Sequence, residues 1–390
     1  MRFEPIPKIE FLRRIRKVQE EIQKQGIDVL ITYSNETESA SSRYLTGFWP
    51  FFDFVGIVIP ANGEAALVTG GPESYEFALR FSAIKNILIN PLYVESSAPD
   101  WVPEVEGESF EFLLTEICGS SPKVVGLTDW NIFPHLLFED LKKGAPDAEF
   151  IPADDLLMNI RAIKEEIEIP YIEEAYHITE QSMHAALDAC RPGIREYELE
   201  LIARQKMLEL GAEGMPYPTW VCSGPNTPLS LCRSTRRVVN SGDLVQFTVG
   251  SKFMGYCGNM CRPIFLGPVP SQAGRLMDAA IEATEYVMKF LKPGIIASDI
   301  FSGYYDILAT YGFENFTLYG PAHGTGHAEV EGLWLSKDAD FIIKPNMLFN
   351  VDIWLTDGTY GMRYEEGVLI TQTGLKQLNS SRRSNRSISI

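Results

Sequence analysis

Apolar positions recur at helical spacing over residues 8–26. Ile9, Leu12, Ile15, Val18 and Ile22 share one face, and Gly26 follows as a stop signal. Beyond them the period changes. DVLITYS, DFVGIVIPANGEAALVTG, NILIN and VVGLTDW are short apolar runs bounded by turn residues, which predicts strands, with PANGE as a hairpin turn inside the second. NIFPHLLFEDLKKG then returns to helical spacing. Residues 1–155 thus alternate helix and strand, as an α/β domain does. An aromatic cluster, Phe48, Trp49, Phe51, Phe52 and Phe54, sits between the first strands.

The later part of the chain reads differently. CRPGIREYELE at 190–200 and LKPGIIASDIFSGYYDIL at 291–308 each end one helix and begin another at a Pro–Gly pair. Two such junctions predict an internal pseudo-repeat of helix pairs over strands. Between them, Gly242–Arg262 reads as a β-hairpin with its turn at Gly250–Ser251–Lys252. Residues two apart in a strand share a face. Gln246, Thr248 and Gly250 therefore look one way, and Cys257, Asn259 and Cys261 form a row on the second strand. Thr248 and Asn259 are the expected inward pair. The polar, basic tail at 379–390 is expected to be disordered.

Composition narrows the classes. With 390 residues, 45% hydrophobic and 22% charged, the chain suits a globular protein of two or three domains. A net charge of −18 argues against nucleic acid or anionic membranes as partners. No apolar run is long enough to span a bilayer, and MRFEPIPKIEF lacks the apolar core of a signal peptide, so a cytoplasmic protein is expected. Six cysteines in a chain this large do not suggest a disulfide framework. They read as small buried hydrophobes, with a thiol lining or nucleophile near the hairpin as the alternative. Only five histidines are present, and His323 and His327 fall in one phrase, HGTGH, where a neutral imidazole can carry a proton.

The hairpin phrase GDLV…GY…R and RYLTGF at 43–48 resemble the pita-bread hydrolases: aminopeptidase P, prolidase, methionine aminopeptidase and creatinase. So does the boundary phrase IRAIKEEIEI, in which Asp155 to Arg161 closes one domain and Lys164 begins the long helix of the next. The resemblance implies an α/β N-terminal domain at 1–155 and an α+β pita-bread C-terminal domain at 156–378. It also implies a homodimer and a small-molecule substrate. The aromatic cluster is then either core packing or a wall presented to a neighbouring subunit's pocket.

In the metal-dependent members, five ligands run in the order Asp, Asp, His, Glu, Glu and hold two divalent ions. The matching positions here are Thr248, Asn259, His323 in PAHGTGH, Asp352 in KPNMLFNVDIW and Glu365 in GMRYEEGVLIT, with Arg363 in its usual place. The family's substrate-handling histidine is matched by Leu231. A hard divalent ion needs several anionic oxygens. A threonine hydroxyl cannot bridge two ions, and an asparagine offers only a neutral carbonyl. No resident metal is therefore expected; the alternative is one weakly held ion such as Mn²⁺ at His323, Asp352 and Glu365. The expected catalytic residues are His323, His327, Asp352 and Glu365, with Thr248, Asn259, Arg363, Glu331 and Leu231 binding substrate.

Three functions follow. The first is a creatinase-like, metal-independent hydrolase of a C–N bond in a small amidine, urea-like or cyclic amide. The alternatives are an Xaa-Pro metallopeptidase with a reduced metal site and a pseudoenzyme that kept the cleft as a binding module.

Overall fold

In a computed structural model, which describes residues 3–95 and 106–389, the chain divides into two units, Met1–Arg161 and Ala162–Ile390. The first contains α1 (Lys8–Gln25), β1 (Val29–Ile31), α2 (Ala40–Thr46), β2 (Val55–Pro60), β3 (Ala66–Thr69), α3 (Pro72–Phe81), β4 (Ile87–Ile89), α4 (Phe110–Cys118), β5 (Val124–Leu127), α5 (His135–Gly144), β6 (Glu149–Pro152) and most of α6 (Asp154–Ala162). Its sheet has the order β4-β3-β2-β1-β5-β6. The PANGE hairpin pairs β2 with β3 antiparallel, while β5 and β6 run parallel to β1 and to each other respectively. Alternate strand residues enter two separate cores. Val29, Ile31, Val58 and Val125 pack with Phe110, Leu113 and Leu137, whereas Leu30, Ile57, Ile59 and Leu67 pack with Ile15, Val18 and Ile22. Both faces are covered, which is why these strands read as continuous apolar runs. In α1 the buried stripe is Phe11, Arg14, Ile15, Val18 and Ile22, while Ile9 and Leu12 are exposed. Arg14 is accommodated because its guanidinium donates to Tyr44 O at 2.9 Å and lies over the Tyr44 ring.

The second unit contains α7 (Ile169–Ala189), α8 (Glu196–Glu209), β7 (Trp220–Ser223), β8 (Leu244–Phe253), β9 (Tyr256–Leu266), α9 (Ser271–Phe290), α10 (Ala297–Tyr311), β10 (Ala322–Gly324), β11 (Leu348–Thr356), β12 (Gly361–Ile370), β13 (Leu375–Gln377) and β14 (Ser387–Ile388). The sheet order is β10-β11-β12-β9-β8-β7, with β13 on β12 and β14 on β9. Two long hairpins, β8–β9 and β11–β12, meet along β9 and β12. Helices α7 and α8 bury Ile178, Met183, Leu199 and Met207 against Phe247, Val249 and Met260. Helices α9 and α10 bury Leu276, Met277, Ile300 and Tyr304 against Phe349, Val351 and Tyr364. Each fully buried aliphatic or aromatic side chain adds about 1.5–3 kcal/mol.

The expected repeat is explicit in the Pro–Gly junctions. Gly193 (φ 91°) donates its N–H to Val239 O, and Gly294 (φ 88°) donates to Ile343 O, both at 2.9 Å. Residue 194 or 295 then accepts from the same return strand, through Val239 N and Ile343 N. Both glycines stand in the left-handed region that side chains disfavour.

Three expectations are corrected. The β8–β9 turn is at Met254–Gly255, both with positive φ, and Gly250, Ser251 and Lys252 lie within β8. The type of turn that suits the strand twist needs two such residues, and the apolar run extends the strand to reach them. Helix α7 starts at Ile169, because Lys164 is drawn into a buried ion pair with Glu331 at 3.1 Å. The tail is packed through its polar groups. Asn379 accepts from Gly367 N and donates to Asn259 O, Arg383 pairs with Glu366, and β14 lies beside β9.

Candidate active site

Strand register assembles the site. Thr248 pairs with Cys261, Cys261 with Glu365, and Glu365 with Asp352, so one row crosses β8, β9, β12 and β11. In the next row Gly250 pairs with Asn259, and Asn350 with His323. The intervening residues face the helices, so hydrophobic alternation sends the polar ones into the cleft.

The charges in these rows are few and buried. Asp352 and Glu365, directly opposite each other, are 5% and 1% exposed; like charges so placed repel. Arg363, two residues before Glu365, brings Nε to 3.4 Å from Asp352 Oδ1, reaches Ser230 O with Nη2, and lies over the Tyr319 ring. Burial would weaken its charge, but Asp352, then Cys261 and Glu365, hold its proton more tightly than usual. Glu365 is pushed well above the usual carboxylate range by burial, then by Asp352 and Glu329. Its Oε2 accepts from the Cys261 thiol at 3.0 Å, and its Oε1 has no hydrogen-bond partner among the described residues. Burial, then Glu365, raises Cys261 far above an ordinary thiol, and burial lifts Cys257 to about 12. These cysteines behave as packed neutral thiols, because a reactive thiol needs a depressed pKa.

His323 is buried and sits 5.0 Å from the Trp334 ring. Its Nδ1 lies 3.0 Å from Gly324 O. A carbonyl only accepts, so Nδ1 is the donor. The other ring nitrogen, Nε2, faces Glu329 Oε1 at 3.6 Å. A nitrogen of His323 and one oxygen each of Glu329 and Glu365 lie within 4.8 Å of one another.

The sequence-derived set is thus partly assembled. His323, Asp352, Glu365, Arg363, Thr248 and Asn259 share the central rows. Thr248 and Asn259 are offset by one pair rather than opposed, and both Asn259 amide atoms lack a hydrogen-bond partner among the described residues. His327 lies elsewhere: its Nδ1 approaches Gly255 O at 3.1 Å and its ring packs on Tyr256 at 4.3 Å, so it braces the hairpin turn. Glu331 is also a brace, since one oxygen pairs with Lys164 and the other accepts from His327 N and Ala328 N. Leu231 is 70% exposed in the β7–β8 connection, and its neighbour Ser230 touches Arg363. Asp352 is not in the three-donor group; its Oδ1 faces Arg363 Nε instead.

Two residues escaped the sequence reading. Glu329 joins His323 and Glu365; its only signal was a second acidic residue beside Glu331 in one short phrase. Tyr176 of α7 comes so close to Gly367 that any side chain there would overlap its ring, and its hydroxyl donates to Asn350 Oδ1. Nothing in helical spacing separates such a tyrosine from a core one.

Comparison with known proteins follows the same division. The sequence profile of metallopeptidase family M24 matches residues 170–372, and that of the creatinase/prolidase N-terminal domain matches residues 14–163. A relative from Pyrococcus horikoshii named Xaa-Pro dipeptidase is 26% identical over 375 residues, covering 95% of this chain and 97% of its own length. A relative from Rhizobium rhizogenes named agropine synthesis cyclase is 23% identical, covering 94% of each chain. The crystal structure of the prolidase from Pyrococcus horikoshii superposes with a TM-score of 0.81 at 24% identity, over 95% of this chain and 99% of that one. At that identity the likeness speaks to the fold alone.

Proposed function

The chain belongs to metallopeptidase family M24, and from that premise we propose that it hydrolyses the amide bond of a small Xaa-Pro-like substrate in the second unit's cleft. The observation that carries this reading is the convergence of His323, Glu329 and Glu365 on one space. The dipeptidase name of a relative spanning almost the whole chain supports the peptidase alternative over the creatinase-like reading.

The pair of ions that the family implies does not fit. Two of the five ligand positions are the neutral Thr248 and Asn259, and a third, Asp352, faces Arg363. Four anionic ligand residues would offset two divalent ions; two remain at those positions, and one of these is already paired. No step is therefore routed through a two-ion centre. The residues present can still move protons. In the ion-free cleft, His323 Nε2 is placed to accept a proton from an attacking water. Glu365, which burial keeps protonated above the usual carboxylate range, is placed to deliver one to the departing nitrogen. Arg363 holds Asp352 beside Glu365; burial, then Asp352 and Glu329, favour the neutral Glu365 carboxyl against the opposing pull of Arg363.

A panel of Xaa-Pro dipeptides tests this reading. Turnover is expected, and Glu365→Gln is expected to lower it about 10²–10⁴-fold with melting unchanged. Folded wild-type protein that turns over none of the panel would defeat the reading.

A second reading, metal-free opening of a small cyclic amide or amidine, is favoured by the neutral Thr248 and Asn259. The cyclase name of a full-length relative makes such chemistry reasonable on this scaffold. Full activity after EDTA would support it. A pseudoenzyme instead requires His323→Ala to leave the biological assay unchanged. A cytoplasmic homodimer remains part of the proposal; a monomer mass in sedimentation at micromolar concentration would remove that part.

A further inference from the structure

We propose that His323, Glu329 and Glu365 form a single-ion site for one divalent cation of the zinc or manganese type, with Glu329 in the ligand place that the sequence assigns to Asp352. The inference concerns the same cleft as the hydrolase reading, but its test needs no turnover.

Four observations carry it. First, the Gly324 carbonyl engages His323 Nδ1, so Nε2 is the ring nitrogen turned to the cleft and it faces a carboxylate oxygen at 3.6 Å. Two such atoms need a cation between them, a proton or a metal ion. Second, Glu365 Oε1 is buried and has no hydrogen-bond partner among the described residues, which is costly unless something binds it. Third, the one neighbouring guanidinium, Arg363, pairs with Asp352, so Glu329 and Glu365 have none of their own; one divalent ion would take that place, displacing the Glu365 proton as it binds. Fourth, the spacing suits a small ion: donors at about 2.0–2.2 Å around a tetrahedral ion lie about 3.4 Å apart. The His323–Glu329 distance already approaches this, and Glu329, 30% exposed at the rim, can close the rest. One nitrogen and two carboxylate oxygens favour zinc or manganese over calcium, which takes six to eight oxygens.

The same geometry limits the site to one ion. Thr248 in the same row and Asn259 in the next supply no charge, and Tyr176 stands beside Gly367 and Asn350.

The test is equilibrium dialysis of EDTA-stripped full-length protein against Zn²⁺ and Mn²⁺, read by elemental analysis, with melting curves as a check on folding. Wild type is expected to take up one ion per chain. Glu329→Gln, a conservative change at the rim, is expected to weaken binding more than about 100-fold, beyond the 10–100-fold that outer-shell partners contribute, while Asp352→Asn stays within that range. Uptake of no ion, or of two, overturns the proposal. So does a folded Glu329→Gln that binds as wild type, or loss in Asp352→Asn with Glu329→Gln unaffected. An enzyme that binds one ion yet cleaves no Xaa-Pro dipeptide would refute the hydrolase reading and leave this inference standing.

Discussion

The two hairpins of the second unit share a scaffold and differ in chemistry. Each follows a helix pair whose members join at a Pro–Gly junction of the same φ and the same hydrogen bond to a returning strand. Each buries its outward residues under its own helices. On the cleft face, however, β8–β9 offers Thr248, Asn259 and Cys261, all neutral, whereas β11–β12 offers Asp352, Arg363 and Glu365. His323 and Glu329 come from the segment just before β11. The lesson is that backbone register and apolar packing hold the fold, while the charge on one face can vanish from half of it. A fold match therefore says less about chemistry than the letters at four paired positions do.

The largest expected effect lies where the two halves are tied together. On the opposite face of the same central strands, Arg262 of β9 pairs with Glu366 of β12 at 2.9 Å, both buried, and Arg363 plays no part there. Removing Arg262 leaves buried Glu366 with Arg383 at 3.0 Å as its remaining cation, so Arg262→Ala is expected to cost about 1.5–3 kcal/mol in chemical denaturation. A cost below about 1 kcal/mol would mean that the halves are held by apolar packing alone.

The scaffold likeness is tested next. Gly193 and Gly294 have nothing within 4 Å of a would-be Cβ, so alanine at either meets backbone strain only. Each substitution is expected to cost about 1–2 kcal/mol, and the two costs should agree. A large inequality would break the repeat as a description of energetics.

The smallest effect concerns the C-terminal segment. Burial would raise the Glu180 carboxyl, but hydrogen bonds from the Ser381 hydroxyl, Ser381 N–H and Ser380 N–H prevail and hold it below its ordinary 4.5. A depressed folded pKa gives stability that is complete above the unfolded value and fades as pH falls through the lower folded one. Hydrogen exchange at residues 379–389 is therefore expected to speed up only below about pH 4.5, after correction for intrinsic rates, and in Glu180→Gln to be fast at neutral pH as well.

Much of this was legible in the sequence, for physical reasons. Strand periodicity sorted Thr248, Asn259 and Cys261 onto one face, and Pro–Gly pairs marked the repeat because few other residues can make those turns. What stayed hidden depended on neighbours distant in sequence. The turn moved to Met254–Gly255 because strand twist, rather than composition, selects it. The tail looked disordered by composition, yet Glu180, Asp188 and Glu366 supply partners for Ser381, Arg382 and Arg383. Glu329 and Glu331 are two letters apart in an irregular segment, where no period predicts that one enters the cleft and the other pairs with Lys164. His327 looked catalytic beside His323 because both share a phrase, but the chain turns between them.

The most direct test of the division between the halves is the ion count of Asn259→Ala beside wild type. Asn259 lies in the neutral half, and neither of its amide atoms has a hydrogen-bond partner among the described residues, so its removal should not disturb the charged half. One Zn²⁺ or Mn²⁺ per chain in both proteins, with affinities within about tenfold, is the predicted result. Two ions in wild type, or loss of the ion on removing Asn259, would show that the first hairpin still holds a cation and would contradict the account.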